Sequence, residues 1–151
     1  MKFIDNFLNR ITMYRITLYV LIFFLAVAGV LGMFGFLSYS LIDITLASLF
    51  LVAVCWVANK VFAWAFNAPV NVESAYITAL ILALLIAPTR TMDNYMFMFW
   101  AGTIAMASKF ILAIGKKHLF NPAAIAVVIT AYTISHGAVW WVGNLPMLAF
   151  V

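Results

Sequence analysis

Lys109-Phe-Ile-Leu-Ala-Ile-Gly-Lys-Lys-His118-Leu-Phe-Asn121-Pro122-Ala-Ala124 sets a compact basic hinge between two long apolar segments. Gly115 can end one helix, Lys116, Lys117 and His118 suit a helix C-terminus, and Asn121 followed by Pro122 signals a cap and first turn for the next. Backbone donors at that new start can hold an anion. The stretch therefore predicts two long helices joined by a turn with a chemical role.

The segments on either side of the hinge set the class. Hydrophobic residues make up 68% of the 151-residue chain and charged residues 8%, and the mean hydropathy is +1.17. These values lie far from those of an average soluble domain and predict an all-α integral membrane protein. At about 20 residues per span, four or five helices fit, with short loops and no soluble head. The single Cys55 lies inside an apolar run and can form neither an intrachain disulfide nor a thiolate cluster. The first apolar stretch begins late and runs on, unlike the short core of a secretory signal.

Working outward, residues 1–15 place Phe3, Ile4, Phe7, Leu8, Ile11 and Tyr14 at helical spacing opposite Lys2, Asp5, Asn6, Asn9 and Arg10. That pattern predicts an interfacial amphipathic helix, with the transmembrane domain covering 16–151. A first span is expected over 16–36, its Gly29, Gly32 and Gly35 permitting close packing, and a second over 44–58, closed by Asn59 and Lys60. Residues 61–72 are too short and polar-punctuated to span and are expected to lie in the interface or re-enter the membrane. A short third span ends at Pro88, the fourth covers 95–114 and the fifth 122–141. Shortened helices often mark binding sites in transporters. Residues 143–151 read as another span beginning, so the chain is expected to be a fragment of a longer one. The alternative is a five-span protein whose last residues fray.

Lys2, Arg10, Arg15, Lys60, Lys116 and Lys117 fall on one side of this arrangement, with Arg90 opposite, which predicts a multi-pass protein of the inner (plasma) membrane with a cytoplasmic N-terminus. The net charge of +4 thus reports topology. There is no folded basic face for nucleic acid.

Two motifs carry a family resemblance: Glu73-Ser-Ala-Tyr-Ile-Thr-Ala-Leu-Ile-Leu-Ala-Leu-Leu-Ile-Ala-Pro88 and, one span later, Gly115-Lys-Lys-His-Leu-Phe-Asn-Pro-Ala-Ala124. In order and spacing they resemble the NqrB/RnfD family, membrane proteins of the Na⁺-translocating NADH:quinone oxidoreductase and of the Rnf electron-transport complex. Residues 1–60 match it only as generic membrane helices. The resemblance implies a subunit of a flavin-dependent electron-transport complex that couples electron flow to Na⁺ or H⁺ translocation. It also implies about ten helices in two inverted repeats of a urea-transporter-like fold, this chain being the N-terminal five-helix repeat. The implied partners are the lipid bilayer and flavoprotein subunits or a fused reductase domain. The family's covalent FMN sits on a threonine in a Ser-Gly-Ala-Thr motif, which is absent from these residues. The implied flavin, FMN or riboflavin, belongs to the full-length protein or complex.

The candidate cofactor- or partner-binding residues are accordingly Asn121, Lys116, Lys117 and His118, and the candidate on an ion path is Glu73. Each has a plainer reading: Asn121-Pro122 as a helix start, the basic trio as topological anchors, and Glu73 as a favourable charge at a helix N-terminus. Lys109 is expected to snorkel to the interface in preference to acting as a buried functional lysine, and His136, late in the fifth span beside Trp140 and Trp141, to lie at the interface in preference to serving a proton path. Thr78, Thr103, Thr130 and Thr133 read as helix-packing hydroxyls. No paired acids, nucleophile with its base, Cys/His metal cluster or glycine-rich phosphate loop is present, so no catalytic or metal-ligating residue is predicted. The remaining function classes are a channel or transporter for a small polar solute and a non-catalytic membrane scaffold.

Overall fold

A computed structural model describes residues 13–114, 117–118, 120–134, 138–143 and 147. Among these residues five helices carry the fold: α1 (Met13–Met33), α2 (Leu41–Ala65), α3 (Val72–Leu85), α4 (Met92–Ile111) and α5 (Pro122–Ile134). Between α4 and α5, β1 (Ala113–Ile114) and β2 (Lys117–His118) pair antiparallel, Ala113 opposite His118.

Local chemistry places each boundary. α1 ends in a Schellman arrangement: Phe36 donates its amide to the Leu31 carbonyl and Gly35 to that of Gly32, with Gly35 in the left-handed region at φ 75°. Ser40 opens α2 with a capping box, its hydroxyl accepting from the Asp43 amide at 3.2 Å while Asp43 Oδ2 accepts from the Ser40 amide at 3.1 Å. Asn71 and Thr91 cap α3 and α4 in the same way through the amides of Ser74 and Asn94. Pro88 lies just beyond the end of α3, where a helix cannot continue.

The second helix is longer than its sequence predicts. α2 runs to Ala65, so residues 61–65 are its last turn and not part of a separate interfacial or re-entrant segment. Asn59 does not break the helix, because it is buried at 3% exposure and donates Nδ2 to the Asn71 carbonyl at 3.4 Å. Lys60 lies over the Trp56 ring, 3.7 Å from its centroid. Termination falls instead to Asn67 at φ 47°, whose amide and that of Ala68 bond back to Trp64 and Ala63.

Three further boundaries are corrected. α4 ends at Ile111, so Lys117 and His118 sit in an extended two-residue ladder and do not close that helix. α1 is described from Met13 and takes in residues 13–15, while the rest of the expected interfacial helix lies outside the described residues. α5 is described to Ile134, and Trp141 lies in a turn. The Trp141 indole is edge-on to Tyr39 at 5.5 Å and donates Nε1 to the Ala83 carbonyl at 3.0 Å. His136 and all of 144–151 except Met147 lie outside the described residues.

α3 packs against α1, α2, α4 and α5 and forms the centre of the molecule. It is apolar almost all round, the pattern of a buried helix. Small residues allow the approach: Ala75, Ala79 and Ala83 of α3 meet Ala47, Leu51 and Cys55 of α2, Met98, Ala101 and Ala105 of α4, and Ala123 and Ala126 of α5 in one core. Among the described residues two helices, α1 and α2, are long and apolar enough to cross a membrane. α3, at 14 residues, reaches only about 21 Å.

Candidate functional site

Alternation of helix direction brings the start of α1, the last turns of α2, the start of α3 and the end of α4 to one end of the molecule. Contacts of charged and polar side chains show it. Arg15 Nε donates to Glu73 Oε1 at 3.1 Å, linking the starts of α1 and α3. At the opposite end Arg90 pairs with Asp43, and Asn94 Nδ2 donates to the carbonyls of Ala87 at 2.8 Å and Thr89 at 3.0 Å.

The first end holds a polar layer in an otherwise apolar interior. Lys109, 6% exposed, extends from the last turn of α4 and donates Nζ to the Ser74 carbonyl at 2.8 Å. The same carbonyl accepts from the buried Thr78 hydroxyl at 2.9 Å. Asn59 of α2 reaches the Asn71 carbonyl just before α3, and Ser108, beside Lys109, turns back to the Ala105 carbonyl at 2.8 Å. Among the described residues, Asn59, Thr78, Ser108 and Lys109 are buried and polar and lie at this end, with Thr130 of α5 the other such residue.

A buried ammonium favours the last turn of α4, where the helix dipole is negative, and opposes the first turn of α3, where it is positive. Its desolvation is costly unless hydrogen bonds or an opposite charge compensate. Ser74 supplies one acceptor for an ammonium that has three donors. Glu73, the residue before Ser74, is engaged by Arg15.

Of the sequence-predicted residues, Glu73 therefore stands at the rim of this layer, in the first turn of α3. Asn121 is exposed and caps α5, its Oδ1 accepting from the Ala123 amide at 3.0 Å. Lys116 and the side chains of Lys117 and His118 lie outside the described residues. Thr103 and Thr133 are outward and bond back to Phe99 and Ile129. Lys109 departs from the expectation of snorkelling: its side chain is buried and donates to the Ser74 carbonyl. Sequence spacing marks neither Lys109 nor Asn59 as a site residue; the available signal is one polar side chain near the same end of each of three apolar segments.

No family model, curated protein or solved structure matches this chain.

Proposed function

We propose that the protein is a membrane subunit of a flavin-dependent electron-transport complex that couples electron flow to Na⁺ or H⁺ translocation, with the polar layer at the start of α3 on the ion path. The observation that carries the reading is the buried Lys109 ammonium on the Ser74 carbonyl, one residue from the Glu73–Arg15 pair. An ionisable side chain buried among membrane helices is costly and is retained chiefly where ions or protons move. A carboxylate at the start of a shortened helix adds a second group of the right chemistry. The resemblance of 73–88 and 115–124 to the redox-driven pump family supplies the energy source.

A bilayer location is supported by the two spanning-length helices and by their outward faces, where Tyr19, Phe23, Leu49, Val57 and Trp64 are all exposed. By the distribution of its basic residues the N-terminus is cytoplasmic, with the Arg15–Glu73 end inside and the Arg90–Asp43 end outside. Asn121, Lys116, Lys117 and His118 are the residues proposed to meet a partner flavoprotein or flavin. The backbone of the α5 start is a poor phosphate cradle: Pro122 has no N–H, and the Ala123 amide is taken by Asn121 itself. No flavin contact is routed through those amides.

The test is flavin content of the purified membrane protein and its complex, by absorbance and fluorescence before and after acid precipitation, with ion flux in proteoliposomes. Flavin in either fraction with donor-dependent Na⁺ or H⁺ movement is expected. A folded protein without flavin or a redox partner overturns the reading, and solute uptake without an electron donor replaces it with a transporter.

A further inference from the structure

An open groove of about 440 Å³ runs between α2 and α4. On α2 it follows Phe50, Val54, Val57 and Val61, which share one helix face, and ends at Phe62, while Phe99 lines it from α4. Val57, Val61 and Phe99 are exposed. Thr103, the polar residue of the lining, donates its hydroxyl back to the Phe99 carbonyl at 2.8 Å, so the groove offers an occupant apolar surface. From Phe50 to Phe62 the helix rises about 18 Å, against about 15 Å for half the hydrocarbon thickness of a bilayer. This stretch is the second half of α2, the half toward the Arg15–Glu73 end. The groove therefore has the length and depth of one lipid chain in that leaflet.

A cation borders it. Lys60 is exposed, three residues after Val57, and its Nζ lies 3.7 Å from the centroid of the Trp56 ring. Residues three apart are neighbours on a helix surface. The ring covers one side of the ammonium, and among the described residues the salt bridges are Arg15–Glu73 and Arg90–Asp43, so no carboxylate pairs with Lys60. An ammonium at the hydrocarbon edge is costly without an anion. Anionic lipids of the cytoplasmic leaflet supply one. The described residues of a second copy do not: Glu73 is taken by Arg15, and Asp43 and Asp93 lie at the opposite end.

We propose that the α2–α4 groove binds an anionic phospholipid of the cytoplasmic leaflet, one acyl chain lying along Phe50 to Phe62 and the phosphate resting on the Lys60 ammonium. This rests on the bilayer location and orientation proposed above and is independent of the redox role.

The test is native mass spectrometry of the full chain in detergent, equilibrated with an equimolar mixture of phosphatidylglycerol and phosphatidylcholine of the same acyl chains. The wild type is expected to retain phosphatidylglycerol in preference. Lys60→Gln is expected to lower that preference about fivefold, and Lys60→Arg to keep it. Val57→Phe fills the groove from its exposed side with Lys60 in place, and it is expected to release the lipid. Its retention of phosphatidylglycerol would assign the preference to general surface charge and overturn the proposal, and this variant decides where Lys60→Gln does not fold. A wild type without preference between the two lipids, or an unchanged preference in folded Lys60→Gln, also overturns it. A wild-type dimer that Val57→Phe converts to monomer, with no lipid retained, gives the groove to a second copy instead. A chain recovered in the soluble fraction without detergent overturns the bilayer location itself, whereas a membrane-integrated chain without lipid preference overturns this site alone.

Discussion

Lys109 Nζ and the Ser74 carbonyl meet at 2.8 Å across the α4–α3 contact, joining the last turn of one helix to the first turn of the other. A lysine this near a helix end ordinarily extends its stem along apolar surface and keeps its charge in water. Here it turns inward and donates to a first-turn carbonyl of α3. The contact joins Lys109 to the backbone next to Glu73, whose carboxylate pairs with Arg15.

Glu73→Gln separates stability from ion movement. The Arg15–Glu73 pair is half-exposed, with side-chain exposures of 56% and 39%, so its loss is expected to cost less than about 1 kcal/mol of unfolding free energy. Donor-driven ion flux in proteoliposomes is expected to fall severalfold. Flux that is unchanged in the folded variant would make Glu73 a structural charge.

At the opposite end, Asp43 takes the Ser40 amide and hydroxyl and also pairs with Arg90. Ser40→Ala is expected to destabilise by about 1 kcal/mol through loss of the cap. Arg90→Ala, which removes only an exposed pairing, is expected to cost less than about 1 kcal/mol. Thermal unfolding of both variants checks the order.

Gly102 lets α4 approach α2, since a Cβ there would lie 2.9 Å from Val54 Cγ1 and 3.3 Å from Cys55 Sγ. Gly102→Val is expected to destabilise by about 1–3 kcal/mol through overpacking. Gly35→Ala meets nothing within 4 Å but must adopt φ 75°, at a cost of about 1 kcal/mol. Thermal unfolding of the two variants measures both costs. The two glycines are legible as glycines in the sequence, but which one serves contact and which serves conformation follows from the distance between helices.

Asn121→Leu removes the α5 cap and is expected to cost about 1 kcal/mol. If Asn121 also serves the partner or flavin face, flavin content and co-purification with redox subunits will fall more than the yield of folded membrane protein. Equal losses of both would assign Asn121 to capping alone.

Composition and periodicity, with the cap signals, determined that the chain is helical and strongly apolar, where its short third helix lies, and that α5 begins at Pro122 behind Asn121. Those features follow from local rules: turn residues, caps and runs of apolar side chains act within a few residues of themselves. The continuation of α2 through Asn59 and Lys60 was decided by tertiary structure, because a buried acceptor at Asn71 and the ring of Trp56 satisfy side chains that would otherwise mark a helix end. The same holds for Lys109. Whether a charged side chain leaves for water or turns inward depends on which oxygen a neighbouring helix brings within about 3 Å of it, and sequence spacing carries no record of that distance.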